Sequence, residues 1–287
     1  MSLPSASLTA TTTPNRLTTS TGGGPRQRPA AAAFFEAPAK LLCDNERATA
    51  MPGLDTPLHL EMYRRFRRHN TWPARLGRAI QGAWRELVAP PVYGMAWGDP
   101  EKVPPLRFIR DRYLLPYVNP AHTAVEIGPG GGRWTRYLLR FGRLYLVDFH
   151  AEILAEAQRA FRRHSHLVFL VNQGHDFPGI PPASVDFLFS FGTFVHLELP
   201  IIAAYLAAMR GILKPGANAV LQYSDKRKIM AQLNSGFADT TPEQVRREVE
   251  RAGFEVLEED LTTLWHSSVI RFRPAAAASQ GKDNPSP

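Results

Sequence analysis

The residues best suited to chemistry in this chain stand in one short stretch. Val125-Glu126-Ile127-Gly128-Pro129-Gly130-Gly131-Gly132-Arg133-Trp134-Thr135 runs from an apolar strand through a glycine turn towards a helix expected over about 133–141. Four glycines in the five positions 128–132 let the backbone take positive φ and leave no Cβ to hold a ligand away. The first N–H groups of the helix that follows aim back at that turn. Asp148 closes the next apolar run, Leu144-Tyr145-Leu146-Val147, twenty residues after Gly128. A carboxylate so placed accepts hydrogen bonds from a ribose diol, so the two features together read as a nucleoside-binding half-site. Position 133 carries a bulky Arg where a dinucleotide fingerprint takes a small residue. Glu126 is awkward beside a pyrophosphate but suits an ammonium-bearing ligand, directly or through water.

Val125 to Thr135 resembles motif I of the class I S-adenosylmethionine-dependent methyltransferases, and the resemblance extends over about Thr123 to Arg273 because further motifs follow in order. Ser184 to Ser190 resembles the strand that precedes the catalytic loop in that family, and Leu213-Lys214-Pro215-Gly216 resembles its turn into the fifth strand. The resemblance implies S-adenosylmethionine as cofactor, held by Glu126, Gly128, Pro129, Gly130, Gly132, Trp134, Asp148, Phe149, Gln173, Gly174, His175 and Phe191. The glycine turn would pass beside the methionine part and Asp148 would hold the ribose. Residues 172–176 would reach the adenine amino group; the acid usual there is absent at Gln173, which leaves the Gln173 amide, His175, Asp176 or the backbone for that contact.

Methyl transfer from a sulfonium is an in-line displacement, so a nucleophile must be aligned and, where it is a hydroxyl, deprotonated. The resemblance sets Phe191-Gly192-Thr193-Phe194-Val195-His196-Leu197-Glu198 against the reacting methyl. His196 is the candidate general base, since a neutral imidazole accepts a hydroxyl proton near neutral pH; the other reading is a histidine that caps or packs the loop. Glu198 either orients His196 or starts the next helix, and His175, Asp176 and His266 are weaker candidates. The only cysteine, Cys43, lies outside this region, which disfavours a covalent cysteine route and excludes an intrachain disulfide. No Asn/Asp-Pro-Pro-Tyr or Phe run follows the fourth strand, and no His/Asp/Asn cluster has metal-ligand spacing, so no metal is expected. What remains is a small organic acceptor under aromatic residues such as Tyr93, Trp97, Phe191 and Phe194, with O-methylation the first reading and N-methylation open on the same fold. The alternatives are an RNA-associated methyltransferase, a catalytically idle cofactor-binding protein, and an NAD-dependent oxidoreductase, the last opposed by Arg133 and a terminal hairpin.

The elements that must position these residues follow from composition and period. Residues 1–40, rich in Ser, Thr, Ala and Pro, read as a disordered leader, and a composition poor in acids also matches an organelle transit peptide; a cytoplasmic location is expected. Residues 55–118 read as a helical cap or lid, with apolar residues at helical spacing from Leu58 to Phe66 and from Leu76 to Leu87, and Pro73 between them. Tyr93 to Pro100 is irregular and either covers the cofactor or plugs helices onto the sheet. Residues 119–274 alternate strand and helix and end in a hairpin, and 275–287 read as a disordered tail. That order predicts an α/β fold: a doubly wound, mostly parallel seven-stranded sheet with one antiparallel strand. A net charge of +8 permits a nucleic-acid partner, but the basic residues are spread over what read as solvated helix faces, so nucleic acid is disfavoured. No apolar run is long enough to span a bilayer, and the oligomeric state is left open.

Overall fold

The computed structural model describes residues 92–276 together with Arg64. The expected leader, the two helices expected between 57 and 90, Cys43 and the tail from 277 lie outside the described residues.

Seven strands form one sheet: β1 Thr123–Ile127, β2 Arg143–Asp148, β3 Leu167–Val171, β4 Val185–Ser190, β5 Leu213–Ser224, β6 Phe254–Asp260 and β7 Ser267–Pro274. Their order is β3-β2-β1-β4-β5-β7-β6, with β7 antiparallel to both of its neighbours and the other pairings parallel. The helices are α1 Pro104–Ile109, α2 Thr135–Leu138, α3 Ala151–Ala160, α4 Leu199–Ile212, α5 Ile229–Gln232 and α6 Pro242–Arg251. This is the predicted fold class. The hairpin brings the last strand back between β5 and β6, which is why only β7 runs against the rest.

Strand period places the two cores. Val125, Ile127 and Leu188 turn to a core completed by Ile202, Leu206 and Met209 of α4 and by Val245 and Val249 of α6. Ala124, Phe187 and Phe189 turn to the opposite core, with Ile109 of α1, Trp134 and Leu138. Successive side chains on a strand point to opposite faces, so each central strand feeds both layers. Glu126 falls on the face of α2 by the same alternation, and that sets its chemistry.

Local signals held at several ends and failed at others. Thr241 caps α6 as its sequence predicts: its Oγ1 accepts from the Gln244 N–H and the Gln244 side chain accepts from the Thr241 N–H at 2.8 Å, a complete capping box. The helix expected over 133–141 shrinks to a single turn, α2, because the chain is still in the glycine turn at Gly132, where φ is +94°. Leu167 to Val171, a continuous apolar run of the kind found in strands covered on both sides, lies at the sheet edge, and Val171 is half exposed. Leu213-Lys214-Pro215-Gly216 is part of β5 rather than a free turn, and Leu213 pairs with Val185. Lys214, two residues past the last residue of α4, binds both carboxylate oxygens of Asp186 on β4 at 2.8 Å.

Candidate active site

Parallel pairing brings the carboxyl ends of the central strands level. Ile127 lies opposite Val147 on one side and Ser190 on the other, and Asp148 lies opposite Val171. The groups that leave these four ends therefore converge on one edge, where open α/β sheets hold ligands.

The glycine turn is anchored at its start, where the Gly128 N–H donates to the Val147 carbonyl at 2.8 Å. Gly128 has φ +69°, and a Cβ there would lie 1.8 Å from Thr193 Oγ1, so the turn and the loop beyond β4 press against each other. Gly132, at φ +94°, admits the ring of Phe161: an added Cβ would be 2.1 Å from Cε2. The buried Pro129 offers its carbonyl to the Gly132 N–H at 2.8 Å. The Gly131 N–H donates to the Tyr93 carbonyl at 3.2 Å, and Tyr93 is buried against the turn beside Gly130, with Trp97 edge-on at 5.3 Å and more exposed. Part of the space expected for a ligand is thus taken by protein. Tyr93 acts as a plug, and only Trp97 keeps the exposure of a lid residue.

Glu126 is buried on β1 and its Oε2 accepts from Thr135 Oγ1 at 2.6 Å. Burial pushes its carboxyl up to about 8 in spite of that hydrogen bond. Asp148 is buried at the end of β2, and burial raises it to about 7 against the pull of the His150 and Phe149 N–H groups, the first at 2.9 Å. Among the described residues no Lys or Arg comes within ion-pair reach of either acid. A buried carboxylate with two backbone donors and no cation retains acceptor capacity for a diol.

Phe149 is exposed and stands edge-on to His150 at 5.1 Å. Beyond β3, Gln173 and His175 are exposed, Gly174 is buried at φ +105°, and the Gln173 N–H donates to Asp176 Oδ1 at 2.6 Å. Asp176 thus shapes this loop. Asn172 is buried beside it, giving a hydrogen bond to the Tyr205 hydroxyl at 2.9 Å while its Oδ1 has no partner. The sequence points to the segment 172–176 but does not single out the Asn172 side chain within it, since an Asn after a strand has no signal of its own.

Trp134 packs on Phe191 at 4.6 Å between centroids, and both rings are buried. Phe194, expected over the acceptor, is fully buried against Tyr205 and belongs to the core. The loop beyond β4 is latched from below: the Gly192 N–H donates to Gln222 Oε1 at 2.7 Å, and Gln222 donates to Ser267 Oγ at 2.7 Å. Next along this loop, His196 Nδ1 lies 2.6 Å from the Gly236 carbonyl. Its ring stands edge-on to Phe237, which stands edge-on in turn to His266, with centroids 5.3 and 5.2 Å apart. Burial lowers both histidines to about 4. Gln222, Phe237 and His266 lie 26 to 70 residues from His196 in the chain and only the fold brings them together.

The comparisons agree with this geometry. Residues 124–216, from β1 to the start of β5, match the methyltransferase domain family. No curated protein matches the chain by sequence. Among solved structures, the CcbJ methyltransferase from Streptomyces caelestis shares 15% identity at a TM-score of 0.51, covering 62% of this chain and 99% of its own. An S-adenosylmethionine-dependent methyltransferase from Mesorhizobium loti shares 14% at 0.51, covering 60% and 99%. A geranyl diphosphate methyltransferase in complex with its cofactor shares 16% at 0.50, covering 61% and 88%. At such identities these structures speak to the fold, and the fold is the one described above. Among the described residues no helix is long and apolar enough to cross a membrane, and no group of three or more His, Cys, Asp or Glu is placed to hold a metal. With the glycine turn, the acid twenty residues on and the strand order in place, residues 124–216 match the methyltransferase domain family, and the described chain has the fold of the solved methyltransferases it resembles.

Proposed function

We propose that the protein methylates a hydroxyl of a small organic acceptor in the cytoplasm, with His196 as general base. The observation that carries this reading is the tautomer of His196. A carbonyl only accepts, so the 2.6 Å contact with Gly236 puts the hydrogen on Nδ1 and the lone pair on Nε2. With its protonation lowered to about 4, the ring is neutral at physiological pH and competent to take a proton.

S-adenosylmethionine supplies an electrophilic methyl group on a sulfonium sulfur. The residues present fit it: Asp148 would accept from the ribose hydroxyls, Glu126 would face the ammonium, and Asn172 Oδ1 and the 173–176 backbone offer polar partners for the adenine end. Gln222 holds Gly192 and so fixes the loop that carries His196. Phe237, Phe191 and Trp97 supply aromatic surface for the acceptor.

The ion pairs support a small acceptor over nucleic acid. Arg110, Arg112, Arg159, Arg246, Arg251, Arg271 and Arg273 each pair with a carboxylate, which leaves less free cation to track a phosphate backbone. The test is turnover against a panel of hydroxyl and amine acceptors. His196→Gln should lower turnover of a hydroxyl acceptor by about 10² or more while S-adenosylhomocysteine affinity stays within about twofold. At saturating cofactor, wild-type turnover should hold from pH 8 to 5 and fall only towards pH 4, because burial keeps the base neutral down to about 4. Undiminished turnover in the variant would refute the base role and favour an amine acceptor.

A further inference from the structure

Arg133 is a buried cation with no counter-ion among the described residues. It is 6% exposed, and its guanidinium donates to the Gly98 carbonyl at 3.3 Å. The two acids whose charge it feels most are committed elsewhere: Glu126 to Thr135, and Asp99 to Arg136. Neither lies within 4.0 Å of it, and no other acid among the described residues does. Burying a guanidinium without a carboxylate is costly, and folds keep such a group where a ligand completes it.

Its position narrows the ligand. The guanidinium lies against the Trp134 and Phe191 rings, 5.7 and 5.6 Å from their centroids. One of its terminal nitrogens would stand 3.7 Å from a Cβ placed on Gly192. Arg133 therefore bridges the glycine turn and the loop beyond β4. Glu126 stands near enough on the same sheet face to couple to it electrostatically, yet out of contact. A buried carboxyl and a buried guanidinium, held apart on one face of a glycine turn, match the two ends of an α-amino acid zwitterion.

We propose that Arg133 binds the α-carboxylate of the cofactor's methionine end, while Glu126 faces its ammonium. This rests on S-adenosylmethionine as cofactor. A planar guanidinium pairs with a carboxylate through two parallel N–H groups, which a lysine does not reproduce. The same group that disqualifies a pyrophosphate fingerprint at this position thereby selects the amino-acid end of the ligand.

The experiment is calorimetric titration of the full chain with S-adenosylhomocysteine and with its decarboxylated analogue, which keeps the ammonium and lacks the carboxylate. The wild type should prefer S-adenosylhomocysteine. Arg133→Met should weaken S-adenosylhomocysteine by at least tenfold, leave the analogue within about twofold and so abolish the preference. Arg133→Lys should fall between. Retained affinity for the analogue shows in the same titration that the variant is folded. Equal loss of both ligands would make Arg133 a packing residue and overturn the proposal. Unchanged discrimination would also overturn it and turn attention to an anionic acceptor. Failure of the wild type to bind either ligand would bring down the cofactor assignment and this proposal with it, whereas binding of both without discrimination would bring down only the role of Arg133.

Discussion

Replacing Asp148 with Asn should make the ligand-free protein more stable and its cofactor site worse. The carboxyl moves from an ordinary value of 3.8 to about 7 on folding, because burial removes water and only the Phe149 and His150 N–H groups compensate. The folded state thus holds the proton more tightly than the unfolded state, so stability falls as pH rises from 3.8 through 7. A shift of three units corresponds to roughly 4 kcal/mol once both states are ionised. Asn keeps an acceptor for the two N–H groups and carries no charge. In denaturant titrations at pH 8, Asp148→Asn should therefore gain up to roughly 4 kcal/mol over wild type, shrinking to about 1.5 kcal/mol at pH 5. In the same pair of proteins S-adenosylhomocysteine affinity should move the other way. In the proposed site the ionised carboxylate would accept from both ribose hydroxyls, so the variant should lose about 1–3 kcal/mol of binding at pH 8. The wild type's advantage should fade by about sixteenfold between pH 7 and 5.5 as Asp148 takes up its proton. A variant that is less stable than wild type at pH 8, or a stability difference that does not change with pH, would refute the burial argument. Unchanged affinity would remove Asp148 from the ribose site.

Two further perturbations test how the site is held. Gly132→Ala should destabilise the fold by about 2–5 kcal/mol, combining strain at φ +94° with the Phe161 overlap; adding Phe161→Ala should recover part of the cofactor affinity lost in the single variant, and no recovery would show that the overlap is not the cause. Gln222→Leu should free the Gly192 N–H and leave Ser267 Oγ without its donor. Turnover should then fall more than S-adenosylhomocysteine affinity, and equal losses in the two measurements would place Gln222 in the core alone.

The amino-acid sequence by itself determined the cofactor half of this protein. Glu126, the glycine turn and Asp148 lie within twenty-three residues of one another, and backbone period carries them directly to the same sheet edge. The mostly parallel seven-stranded sheet with one antiparallel strand was legible for the same reason, since each βαβ step is local and of fixed hand. Tertiary structure decided what those residues meet. Three of the turn's glycines prove to admit Thr193, Tyr93 and Phe161, neighbours from 29 to 65 residues away. The acceptor side depends on such distant meetings throughout: His196 finds Gly236, Phe237 and His266 only after β5 and β7 have paired. Arg133 could be read as too large for a pyrophosphate turn, but not as a buried cation with no carboxylate in reach among the described residues, because burial and the commitments of Glu126 and Asp99 belong to the packed molecule. Local spacing fixes backbone geometry, whereas charge balance is settled by which side chains the fold shuts away from water.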